Sequence, residues 1–306
     1  MASYLLRRVL ILLPVWLAVY TLTFTLFHLT PGGPWDRERP VPRQAIEQLN
    51  RKYGLDRPLW QQYGDYLLGV VTRFDFGPSY KNLSRGVGEI IAELFPTSAR
   101  IGLLAMLLAV GIGVPLGILS AVHRGSLGDH ASMLIGVFGV SVPSFVVGPI
   151  LIWVFALSLG WLPPGGIDSW RHYLLPAVTL SLFPLAMLAR ATRAAMLETL
   201  RSDYVRTARA KGLRESLVVR RHVMKNALIP VVTIGGVLLA EVLVGSFYVE
   251  TVFAVPGIGR YFITSVTNRD YPVLMGVTLL LTTVVALVNL LVDVLYAFLD
   301  PRIRYG

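Results

Sequence analysis

Val9–Leu29 runs for 21 residues without one charged side chain. Ile101–Val122, Ala131–Leu162, Tyr173–Ala189 and Tyr271–Val292 are also uncharged, and Ala227–Val249 is interrupted only by Glu241. A helix crosses the hydrocarbon core of a bilayer in roughly 20 apolar residues. These runs therefore predict an all-α membrane protein with six transmembrane helices, Tyr173–Ala189 being the shortest. The composition agrees: only 15% of residues are charged, against about 25% in an ordinary soluble domain. The lipid bilayer is the first expected partner.

MASYLLRR supplies a basic lead to the first run, as in a secretory signal. Its apolar stretch is longer than a typical signal core, and no A-x-A site follows, so a retained anchor is expected, with Arg7 and Arg8 on the cytoplasmic side. With that end inside, residues 190–226 are internal and hold ten Lys/Arg against Glu198, Asp203 and Glu215. The short external loops hold only Arg171, Arg260 and Arg269. This positive-inside pattern puts both termini in the cytoplasm of a cell (inner or plasma) membrane. It also accounts for much of the +10 formal charge without nucleic acid. Cysteine is absent and the five histidines (28, 123, 130, 172, 222) lack ligand spacing. No metal site, disulfide framework or thiol chemistry is therefore expected.

Three regions follow: an anchor over 1–30, an external helical segment over 31–95, and a five-helix core over 96–306 with a loop at 190–229. In the external segment, Leu59, Tyr63, Tyr66 and Leu67 fall at helical spacing between "TPGGPW" and "FGPSY". The segment reads either as a solvated loop with two surface helices or as a docking platform.

The basic loop 202–226 reads as two short helices. Ser202 or Asp203 is placed to cap the first through a side-chain oxygen, and Gly212 to end it in a left-handed conformation. The second runs over Glu215–Leu228, with Pro230 opening the fifth span. Ala208 and Gly212 lie four apart and so share a helix face that is almost free of side chains. Two readings stay open on spacing alone: a juxtamembrane helix anchored to lipid phosphates, or a surface that a partner's groove approaches closely.

The wording of this loop, "DYVRTARAKGL" followed by "HVMKNALIPVVT", resembles the cytoplasmic loop of ABC-importer permeases of the dipeptide/oligopeptide/nickel type. The general importer motif has Glu-Ala-Ala and then Gly four residues after the second Ala. Here Arg206-Thr207-Ala208 and Gly212 keep the Ala–Gly spacing and replace the first Glu and Ala, as is typical of the peptide branch. "YGLDRPLWQQYGDYL", "FDFGPSY", "ETVFAVPGIGR" and "DVLYAFLDPRIRYG" are similar to the same family, in the same order along nearly the whole chain. The resemblance implies a non-catalytic subunit that forms the solute pathway with a second, homologous permease. It implies two ATPase subunits, which carry ATP and Mg, and an extracytoplasmic solute-binding protein. This chain itself is expected to bind no cofactor. The coupling helix would be residues 203–212, with contacts from Asp203, Tyr204, Arg206, Thr207, Ala208, Lys211, Gly212 and Leu213. The family's solutes include dipeptides, oligopeptides, glutathione, nickel chelates and short oligosaccharides. The lack of any GxxxxGK[ST] loop fits such a division of labour.

Within the spans, Glu241 is a costly ionisable group and hence a candidate pathway or interface residue. Asn289, Asp293 and Tyr296 follow i, i+4, i+7 and form one stripe on the sixth span. For "ETVFAVPGIGR" two readings stay open: a plain surface turn, or, as the family resemblance implies, an outer-gate loop with Glu250, Pro256, Gly257 and Gly259, whose non-helical path would be buried in protein or line a cavity. Pro143 and Pro149 suggest a kink in span three. A proton-coupled secondary transporter using Glu241 and Asp293 is the alternative function; it would need no ATPase and often shows internal repeats, which this sequence lacks.

Overall fold

The computed structural model describes residues 2–35, 42–82 and 84–299, with side chains described over 10–35, 42–82 and 84–295. The readings of Arg7, Arg8, Tyr296 and the tail from 300 onward therefore lie outside the described side chains. In chain order the helices are α1 (Ala2–Leu29), α2 (Arg43–Tyr53), α3 (Leu59–Arg73), α4 (Val87–Leu108), α5 (Val114–Val122), α6 (Leu127–Ser141) and α7 (Ser144–Leu151). They continue with α8 (Leu174–Leu200), α9 (Asp203–Ala210), α10 (Glu215–Val218), α11 (Met224–Leu243), α12 (Phe247–Val252), α13 (Ile258–Thr267) and α14 (Tyr271–Leu299). Among the described residues the only strand-like pairing is one isolated bridge between Pro78 and Gly86.

Among the described residues, five helical stretches are long and apolar enough to cross a membrane, and six if a bent pair counts as one span. They differ from the sequence expectation at their ends. The second extends back to Val87, because α4 and α5 are joined through a π turn at 109–113. Pro115 lies just beyond that turn and cannot donate to the Gly111 carbonyl, the kind of gap at which a helix register widens. The fifth begins at Glu215: α10, a π turn at 219–223 and α11 run on without a stop, so Pro230 sits inside α11 and does not open it. The third is broken. α6 and α7 meet at 105° across Val142 and Pro143, more than a kink, since Pro143 ends the amide ladder of α6.

α8 is the central helix, packed against α4, α5, α6, α7 and α11. Small residues make that approach possible. A Cβ on Gly113 would lie 2.6 Å from the Leu185 carbonyl oxygen, and one on Gly117 would lie 2.5 Å from that of Ala189. The two glycines are four apart, as are their partners, so one helix lies against the other along a side-chain-free strip, a common mode of packing in lipid. Met106, Leu185, Leu188, Val231, Leu238 and Val242 fill the centre. α1 is peripheral, packing on α14.

α2 and α3 form a cap at one end of the bundle, and α9 lies at the other. The cap is anchored more deeply than a surface loop. Val70 of α3 packs with Tyr20 of α1 and with Met275 and Leu279 of α14. The buried Tyr20 donates its hydroxyl to the Tyr63 carbonyl at 2.7 Å. Tyr20 is nine residues from Leu29, about 13 Å along a helix axis, so α3 reaches down beside the spans.

Candidate functional site

Four groups of residues carry candidate chemistry. The first is α9, which sits alone at the end of the bundle opposite the cap. Its inward face is apolar: Val205 and Ala208 are buried with Ala121, Met196, Val218, Val223 and Ala227. The other face, with Asp203, Tyr204, Arg206, Thr207, Lys211, Gly212 and Leu213, is exposed. This corrects the side-chain-free face expected from spacing, because Ala208 seats on the chain's own core and only Gly212 stays outward. The cause is amphipathicity, which outweighs side-chain size: Val205 and Ala208 are three apart and turn together into the core. Ser202 occupies the cap position, yet its hydroxyl donates to the Thr199 carbonyl at 2.6 Å and does not cap α9. Gly212 has a φ of +77°, as a terminating glycine requires. The turn after α9 is held by Arg209, which donates Nε and Nη2 to the Glu215 carboxylate at 3.0 and 2.6 Å. Asn226 Nδ2 donates to the Tyr204 hydroxyl at 2.8 Å.

Close by is a pin that sequence reasoning missed. Asp129, its side chain only 4% exposed, accepts Arg193 Nε at 2.7 Å and Nη2 at 2.9 Å. It also accepts the Gly125 amide at 2.9 Å and the Ser120 hydroxyl. Three pieces of chain, α5, α6 and α8, are thus fastened near α9. An acid at the start of α6 and an arginine inside α8 give no local sign that they pair.

The second group lies at the cap end. Glu250 of α12 is buried. It accepts the Ser98 hydroxyl at 2.7 Å and the Arg260 amide at 2.7 Å, while Ser98 Oγ accepts the Ile258 amide at 2.9 Å. A Cβ on Gly257 would collide with the Glu250 carboxyl group. The non-helical stretch is short and ends at Gly257, which is buried against this carboxyl while Pro256 is exposed. Gly259, expected in the same non-helical path, lies instead in the first turn of α13, because Gly257 already caps that helix. Burial raises the affinity of Glu250 for its proton, with the Ser98 hydroxyl and the Arg260 and Gly259 amides pulling the other way. A similar clasp holds the cap: Asp270, also buried, accepts Ser79 Oγ at 2.5 Å and the Tyr80 amide at 3.0 Å.

The third is a cavity of about 340 Å³ at the break between α6 and α7, lined there by Pro143 and Ser144, by Thr179, Leu180 and Pro184 among others of α8, and by Glu241 and Ser246. Glu241 is exposed on its wall. The fourth, about 270 Å³, lies between α1, α11 and α14, and there Asn289 and Asp293 meet Thr233 and Val237. The structure does not bring Glu241 and Asp293 together. They occupy separate cavities, Asp293 on the flank covered by the peripheral α1.

A helical bundle with five or six membrane-crossing helices, a cap at one end and a short amphipathic helix held against the other defines a multi-pass permease. The residues match the family described as binding-protein-dependent transport system inner membrane component over 113–305, and that family's N-terminal region over 1–100; the chain belongs to this family. Its relatives include the dipeptide transport system permease protein DppB of Bacillus subtilis, 41% identical over 99% of this chain and 98% of that one. The oligopeptide transport system permease protein OppB of Salmonella typhimurium is 41% identical over the full length of both. The di/tripeptide transport system permease protein DppB of Pseudomonas aeruginosa is 41% identical over all of this chain and 99% of that one. Among solved structures, an inward-facing MetNI methionine ABC transporter aligns with a TM-score of 0.58 at 19% identity, over 70% of this chain and 97% of that one, a likeness of fold. These likenesses give no support to the proton-coupled alternative.

Proposed function

We propose that this chain forms, with a second related permease, the translocation pathway of an ATP-driven importer of peptides. Two ATPase subunits, carrying ATP and Mg, dock at the α9 end, and a solute-binding protein docks at the cap end; both termini are then cytoplasmic. Relatives of this length and identity are named for dipeptides, oligopeptides and di/tripeptides, which supports peptides as the solute class.

The observation that carries the reading is the two-faced geometry of α9. One face is locked into the core with Met196 of α8 and Ala227 of α11, and the other is open at the end of the bundle. A force applied to the open face by closing ATPases cannot move α9 alone; it displaces α8 and α11, which also wall the Glu241 cavity. Nucleotide state shifts the permease only so far as the ATPase cleft grips α9 differently in its two states. The external loop folded around Glu250 would serve as the gate at the other end.

Two experiments test this. In proteoliposomes containing all subunits, uptake should depend on enclosed ATP with the proton gradient collapsed; uptake by this chain alone on a gradient would sink the reading. Gly212→Trp should insert normally and lose capture of the ATPase. The position has open space around it, so bulk there meets the partner, while Gly212→Ala carries the same left-handed strain without the bulk and should retain capture. Equal capture by both variants would count against docking at α9.

A further inference from the structure

Which part of the solute the Glu241 cavity receives is left open by the transport reading. We propose that it binds a positively charged ammonium group, foremost the free amino terminus of a peptide. This rests on the permease reading above and adds a subsite to it.

Glu241 is the one acidic side chain lining the cavity, and no lining residue is Lys, Arg or His. The other acceptors are backbone carbonyls released by helix ends and prolines. α6 ends at Ser141, and Gly139 and Val140 of its last turn line the cavity. Carbonyls of a last turn have no partner within their helix, and Pro143 has no amide to offer the Gly139 carbonyl. In α8, Pro184 deprives the Leu180 carbonyl in the same way, and both residues line the same wall. α11 stops at Leu243, two residues beyond Glu241. α7 and α12 begin at the same cavity, which Ser144 and the cap residue Ser246 also line, so the partial charges of helix starts and helix ends roughly offset. The Glu241 carboxyl and the carbonyls freed by Pro143 and Pro184 set the sign of the space.

The shape selects among cations. The cavity, about 340 Å³, is at the small end of ligand pockets, which span about 300–1,000 Å³, so it takes one end of a short peptide. A hard metal ion seeks roughly six or more oxygen ligands, and one carboxylate with carbonyls on apolar walls is a poor cage. An ammonium has three donors, which a carboxylate and two released carbonyls match. Val142, Val147, Leu182, Phe183 and Val242 supply apolar wall beside the hydroxyl residues Ser144, Thr179 and Ser246. A single ionic contact also lets the solute go, as a pathway must.

Because the chain has no cysteine, Ser144→Cys places one thiol of this chain at the helix break. In the complete complex, with the other subunits made cysteine-free, modification by a trimethylammonium methanethiosulfonate is compared with modification by a sulfonate methanethiosulfonate. After correction for their rates on a free thiol, the cationic reagent should react on the order of tenfold faster. Glu241→Gln should bring that ratio toward one, and Glu241→Asp should keep it. Saturating Ala-Ala-Ala should slow modification and N-acetyl-Ala-Ala-Ala should not, an arm that needs no change at Glu241 and so survives a variant that fails to assemble. A ratio indifferent to Glu241→Gln, or equal protection by the two peptides, overturns the subsite. Either result leaves ATP-dependent uptake by the wild-type complex in place, whereas absence of that uptake would strike at the permease reading itself.

Discussion

At the scale of single residues, two buried carboxyls, those of Asp129 and Glu250, hold this protein together. Asp129 is paired with Arg193 and further hydrogen-bonded, so removing it strands a partly buried guanidinium. Deleting one partner of such a pair leaves the other charge without its match, which destabilises the fold. Asp129→Ala should therefore lower the unfolding midpoint of the detergent-purified protein sharply, and adding Arg193→Met should recover part of the loss. A double variant no better than the single one would show that the pair is not the source. Glu250 gives a pH signature. Burial makes the folded chain hold the Glu250 proton more tightly than the unfolded chain does. Stability is then greatest below the unfolded carboxyl value, falls as pH rises through the folded value, and levels off above it. Melting curves across that window should show the fall, and Glu250→Gln should flatten it.

Among the elements, the contact of α4 and α5 with α8 is set by the strip of Gly113 and Gly117. A side chain at either position meets the backbone of α8 and not a flexible tip. Overpacking a core costs typically about 1–3 kcal/mol, and here relief requires that two helices separate. Gly117→Leu should reduce membrane yield and melting temperature well below those of Gly111→Leu, whose position has open space. Equal behaviour of the two would argue against close packing there. The break between α6 and α7 serves a different purpose: it exposes helix-end carbonyls at membrane depth, which is tolerated only where they are enclosed by protein or face a cavity.

For the whole molecule, the charge distribution predicts an orientation in the membrane. The α9 end carries the basic segment 190–226, and the cap end carries the mixed charges of 42–82. A reporter active only in the cytoplasm, fused after residue 306, should be active, and one inserted between Gly160 and Trp161 should be silent; the reverse pattern would invert the assignment of both docking faces. The arrangement also separates tasks along the membrane normal. In the proposed function partners would press on α9 and the solute would meet the Glu241 cavity toward the opposite half, with α8 and α11, which pack on each other, joining the two.

The sequence by itself determined the number of apolar runs and roughly where they lie, the basic segment at one end, the turn at Gly212 and the family, because apolar run length, charge and motif order are properties of the chain read in one dimension. It did not tell which face of α9 turns inward, since spacing showed two small residues and not the core that competes for Val205. Nor did it find the partners of Asp129 and Glu250, which lie 64 and 152 positions away. The 105° break and the separation of Glu241 from Asp293 were likewise decided only by the tertiary structure. A buried charge or a turned face takes its meaning from what other helices bring to it, and only packing sets that.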